Sequence, residues 1–133
     1  MTLPTWFRIH AAVTLPFAVP MLLAPQWTLE LLSSKTVTEL SVDLFRLLGA
    51  AYALITMLTW VASRLDRPAQ LAVAKVLCVY ESIGVLVGLT INIVAAGTLG
   101  RVITIGFFSI FALGYLWFGF LEPRRTEPRP AAA

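Results

Sequence analysis

The stretch Val76–Leu99, VLCVYESIGVLVGLTINIVAAGTL, decides the fold. It carries a single charged residue, Glu81, and is long enough to cross about 30 Å of hydrocarbon as one helix. Three further stretches of the same kind, Trp6–Ala24, Leu44–Ala62 and Val102–Leu121, fill most of the remaining chain. Four such spans predict an all-α integral membrane protein, an antiparallel four-helix bundle occupying residues 1–122. The tail 123–133, rich in proline, arginine and alanine, is expected to be a disordered cytoplasmic segment.

Composition excludes the water-soluble alternative. The chain has 133 residues, of which 59% are hydrophobic and 13% charged. A soluble fold would have to bury all four segments, and a chain this short leaves too large a fraction of its surface exposed for that. The net charge of +3 does not indicate a nucleic-acid partner, because the basic residues gather at span ends and form no patch interleaved with exposed aromatics. Arg8, Arg64, Arg67, Lys75, Arg124, Arg125 and Arg129 fall on one side, and Lys35, Arg46 and Arg101 on the other. Seven against three places both termini in the cytoplasm. Trp6, Trp60, Tyr115 and Trp117 are then expected as an aromatic belt at the inner boundary. The tail composition suits a GC-rich bacterial source, and the membrane is then the inner membrane. Pro16, Pro20 and the exit Leu22-Leu23-Ala24-Pro25 argue against a cleaved signal peptide.

Between the spans, Pro4 suits the first turn of the first helix, and Pro16 with Pro20 predicts a kink inside it. Gln26–Leu32 reads as a short interfacial helix with Trp27 at headgroup level, and Ser33–Ser41 as a loop. The second span opens near Ser41 with Asp43 in its first turn, and Pro68 opens the third. Gly97-Thr98-Leu99-Gly100 reads as a tight turn before the fourth.

Few residues are candidates for chemistry. At 100° per residue, Glu81, Gly84, Gly88, Asn92 and Ala95 share one stripe, with Gly84 and Gly88 forming a small-xxx-small pair for close helix approach. An intramembrane glutamate is costly to bury, so it marks a working residue or a structural pair with Lys75, Arg8 or His10. A Glu81–His10 pair could serve as an acid/base unit. Asp43 and Arg46 are three apart on one helix. Arg46, Gly49, Ala50, Ala53 and Met57 form a stripe expected to face the bundle, where Arg46, Asn92 and Asp43 could clamp two helices or grip an anion. Gly106, Gly114 and Gly119 alternate with phenylalanines in the last span and mark packing, or a slot for an acyl chain or ring. The lone Cys78 reads as an apolar filler, with no disulfide or zinc spacing. The sequence shows no metal cluster, no nucleophile–base signature and no cofactor motif, so any cofactor is left open.

The strings Phe7-Arg8-Ile9-His10-Ala11, Phe45-Arg46-Leu47-Leu48-Gly49-Ala50 and Trp60-Val61-Ala62-Ser63-Arg64, with a first helix ending at Ala24-Pro25, give the chain a recognisable layout. It resembles a broad group of small, uncharacterised bacterial four-helix integral membrane proteins over about residues 6–120. The resemblance implies the fold and the membrane location and carries no activity. The expected function is that of an accessory or assembly subunit of a membrane complex, or of a homo-oligomer held by Gly84 and Gly88. Two alternatives use Glu81: a proton-coupled small-molecule exporter working as a homodimer, and a lipid-modifying enzyme with His10 as second group. The bilayer is the expected partner in every case.

Overall fold

A computed structural model describes residues 1–32, 37–90 and 98–122, with side chains over 1–32, 37–89 and 102–122. The described chain is helical, without a strand. Its helices are α1 (Leu3–Leu23), α2 (Pro25–Leu32), α3 (Glu39–Ala62), α4 (Arg67–Thr90) and α5 (Thr98–Leu116), the last continuing into a π-helical turn, Trp117–Leu121. Four of them are long and apolar enough to cross a membrane, as the hydropathy pattern predicts. Asn92 and the tail 123–133 lie outside the described residues.

Local chemistry sets the helix ends. Pro4 stands in the first turn of α1, where its missing N–H is not needed. Thr38 caps α3 in a reciprocal box: its hydroxyl accepts from the Ser41 N–H at 3.2 Å, and Ser41 Oγ accepts from the Thr38 N–H at 2.8 Å. This cap starts α3 at Glu39, two residues before the expected Ser41, so Glu39 rather than Asp43 is the first-turn acid. Thr98, placed by sequence in a tight turn, already belongs to α5. The helical assignment of α1 runs unbroken through Pro16 and Pro20.

Packing joins two helix pairs. Gly49 of α3 lies against the backbone of Met21 and Leu22, where a Cβ would stand 2.7 Å from the Leu22 nitrogen. That contact couples the start of α3 to the end of α1. On the other pair, Gly84 of α4 receives the Phe108 ring, Gly88 meets Ile105, and Gly119 meets Ala74 and Lys75. Numbers rise on α4 as they fall on α5. The small residues of α4 are thus consumed inside the chain, and do not form the free face for a partner that the sequence suggested.

The pairs meet through α1, the most buried of the four spans. Leu3, Phe7, His10, Ala11, Thr14, Ala18 and Met21 are buried and recur at helical spacing along one face of α1. Leu3 and Phe7 join Ala62, Leu77, Phe111, Tyr115 and Phe118 in one apolar cluster, and Met21, Leu29 and Phe45 form a second at the opposite end. The outward faces are apolar: Leu47, Leu54, Met57, Val76, Leu86 and Leu113 are each 60% exposed or more. Water would penalise such a surface, whereas hydrocarbon accepts it.

Candidate functional site

Where α1, α4 and α5 converge, three polar side chains are sealed together. His10, Glu81 and Tyr115 all have 0% exposure. Each is set by its helix: His10 by the buried stripe of α1, Glu81 by the run Gln70, Ala74, Leu77, Glu81, Gly84 on α4, and Tyr115 by Phe107, Phe111, Tyr115 on α5.

The imidazole is held on three sides. His10 Nδ1 lies 2.7 Å from the Tyr115 hydroxyl oxygen. Its ring stacks on Phe111 at 3.9 Å between centroids and 18° between planes. The other nitrogen, Nε2, faces Glu81 Oε1 at 3.5 Å. Thr14 donates its hydroxyl to the His10 carbonyl at 2.7 Å, which ties the residue into its own helix. Around this lie Trp6, 5.3 Å from Phe111 and 6.4 Å from Tyr115, and Phe7, 5.5 Å from Tyr115. The Trp6 indole fills the gap left by Gly114. That glycine gap, read from sequence as a slot for a ring, is thus occupied by the chain itself.

The Glu81 carboxyl is less well served. Both its oxygens lack a hydrogen-bond partner among the described residues, and Nε2 at 3.5 Å is beyond good hydrogen-bond geometry. Tyr52 of α3 and Tyr80 of α4 are within electrostatic reach of it. A bare carboxylate in such surroundings costs several kcal/mol, roughly, unless paired and hydrogen-bonded. The site brings together a carboxyl, an imidazole and, on the far side of that imidazole, the Tyr115 hydroxyl.

Several expectations are placed by this geometry. Glu81 and His10 are brought together, whereas Arg8 and Lys75 are exposed and turned from the pair. Lys75 instead reaches along the helix to 5.7 Å from the Phe120 ring. Arg46 does not face the bundle: its side chain is 55% exposed and pairs with exposed Asp43 at 3.4 Å. Close to a helix end, its long stem lets the guanidinium leave the apolar interior. Met57, from the same stripe, is also exposed, while Gly49 packs inside and Ala53 is half-buried. The belt loses two members, because Tyr115 is buried and Trp6 packs inward; Trp60 and Trp117 remain exposed, with Arg64 over the Trp60 ring at 5.0 Å. Cys78 is buried, its thiol donating to the Ala112 carbonyl at 3.7 Å, as a filler would.

Sequence reasoning missed Tyr115, Phe111 and Trp6. The available signal was the spacing Phe107, Phe111, Tyr115, Phe118, an inward face of α5 carrying one hydroxyl. Compared with known protein families, with curated proteins and with solved structures, the chain matches none.

Proposed function

We propose that this protein is a multi-pass protein of a bacterial inner membrane, antiparallel with both termini cytoplasmic, that works as a proton-coupled small-molecule exporter through Glu81. The observation that supports this best is the sealed Glu81–His10 pair. A purely structural carboxyl is normally met by donors, and among the described residues this one has an imidazole alone, at 3.5 Å. An intramembrane acid facing the bundle interior beside a histidine is an arrangement found in the proton relays of pumps and transporters. The seven-to-three charge bias supports the orientation.

Glu81 faces His10 of its own α1 and not an outer face, so a homodimeric exporter would use one glutamate in each copy. A second reading has its own support: 0% exposure of Glu81 and His10 gives a substrate no access to them within one closed copy. A subunit role, beside a partner or a second copy that opens the path, accommodates that closure. The same closure leaves the lipid-enzyme alternative without a supporting observation.

Proteoliposomes carrying a pH gradient test the reading, with ethidium and tetraphenylphosphonium as probes. Gradient-driven movement of either probe, lost in Glu81→Gln, is expected. Movement that survives Glu81→Gln, or none at all, contradicts the exporter. In the latter case, native mass spectrometry showing a stoichiometric partner subunit would favour the subunit reading.

A further inference from the structure

We propose that Tyr115, itself buried, is the cytoplasmic-side member of a two-step proton relay that runs through His10 to Glu81. The inference deepens the proton-coupled reading and rests on it. Its basis is the order of three atoms along one line of contacts. The Tyr115 hydroxyl lies 2.7 Å from Nδ1, and Nε2, on the opposite side of the same ring, lies 3.5 Å from Glu81 Oε1. An imidazole hydrogen-bonded at Nδ1, with Nε2 unbonded and facing a carboxyl, can accept a proton on one side and release another on the opposite side once the 3.5 Å gap closes.

Depth gives the relay a direction. Cys78 is level with Ala112 and Gly84 with Phe108, so Glu81 sits between those levels. Gly114 is level with Trp6, and Gly119 with Ala74 and Lys75, so Tyr115 sits nearer the end where α1 begins. With the termini cytoplasmic, Tyr115 is the outer member on the cytoplasmic side and Glu81 the inner one. The π-helical turn Trp117–Leu121 starts two residues after Tyr115. Such wide turns occur frequently at functional sites, where they loosen one side of a helix.

The proton count balances. Before uptake, the Tyr115 hydroxyl donates to Nδ1, and Nε2–H points at an ionised Glu81. A proton arriving at the tyrosine oxygen displaces the hydroxyl proton to Nδ1. The Nε2 proton then passes to Oε1. One O–H and one N–H bond break while two new bonds of the same kinds form around the ring, and the arriving proton stays on the tyrosine. The cluster gains one positive charge, located at the carboxyl, and its hydrogen bonds have reversed direction. Tyr52 on α3 and Tyr80 on α4 are the other titratable groups near Glu81. Cys78 is committed to the Ala112 carbonyl, and Arg8 and Lys75 are exposed.

Infrared difference spectroscopy on the full chain in lipid, after a rapid drop in pH, separates the two levels of the proposal. A protonated-carboxyl stretch that rises after the jump and is missing from Glu81→Gln is the expected signature of the proton site. Its absence in the wild type, or its persistence in Glu81→Gln, overturns the underlying reading and the relay with it. Given that band, Tyr115→Phe should keep its final amplitude but slow its rise about tenfold or more, the scale on which a positioned proton-transfer group acts. The lost hydrogen bond lowers stability in either case, and a merely structural tyrosine would leave the rate alone. An unchanged rate overturns the relay and leaves the proton site standing. Should Tyr115→Phe not fold, the wild-type rate in H2O/D2O mixtures decides: a bowed dependence supports two protons in flight, and a straight line overturns the relay.

Discussion

At the residue scale, the weight of the account falls on how His10, Glu81 and Tyr115 share too few donors. Tyr115→Phe leaves Nδ1 of His10 buried without a partner, and is expected to lower stability by about 1–3 kcal/mol in detergent unfolding. Glu81→Gln should cost less than about 1 kcal/mol in the same assay, because an amide of the same shape needs no counter-charge. A loss of about 3–5 kcal/mol would instead indicate a structural ion pair broken at one end. His10 and Glu81 were legible in the sequence because polar groups are rare in apolar spans and stand out. Tyr115 was not, because a tyrosine near a span end serves equally as belt, filler or hydrogen-bond donor, and only the neighbouring helix decides. Arg46 was misread for a related reason. Its stripe of small neighbours pointed inward, but a long cationic side chain near a helix end can leave the apolar interior.

At the scale of elements, glycines decide which helices touch. Gly114 holds the Trp6 indole and Gly84 the Phe108 ring, whereas a Cβ on Gly106 would meet nothing within 4 Å. Gly106→Ala is therefore expected to keep or raise stability, by up to about 1 kcal/mol from helix propensity. Gly114→Leu should displace Trp6 and open the α1–α5 contact, seen as a change in tryptophan fluorescence and a lower melting temperature. Gly49→Ala should be more damaging than its small size suggests, because the opposing atoms are backbone of Met21 and Leu22. Gly84→Leu with Gly88→Leu should weaken α4–α5 packing within one copy, read as lost stability at an unchanged oligomeric size. Helix number and approximate extents were readable from hydropathy alone. The pairing of α1 with α3 and α4 with α5 was not, since small residues announce a close approach without naming the helix that approaches. The Thr38 cap, a matter of two side chains, moved one boundary by a turn or less.

At the scale of the whole molecule, an apolar outer surface encloses one buried polar centre of His10, Glu81 and Tyr115. Cys78 is buried, so it is expected to resist water-soluble maleimides in intact membranes. In a Cys78→Ser background, Thr2→Cys and Asp66→Cys should be labelled only from the cytoplasmic side, and Gln26→Cys only from the opposite side. Labelling of Gln26→Cys and Asp66→Cys from the same side would reverse the topology argument. The four helices long and apolar enough to cross a membrane were the most legible property, because they follow from composition summed over each span. The centre was only half legible, because its third member depends on long-range packing between α1 and α5. The most direct measurement of the central claim is the reaction of native membranes with dicyclohexylcarbodiimide, read by intact mass. This apolar reagent attacks carboxyls that carry a proton within the bilayer. The account predicts a single adduct, at Glu81, that disappears in Glu81→Gln; an unmodified wild type, or an adduct that remains in Glu81→Gln, would contradict it.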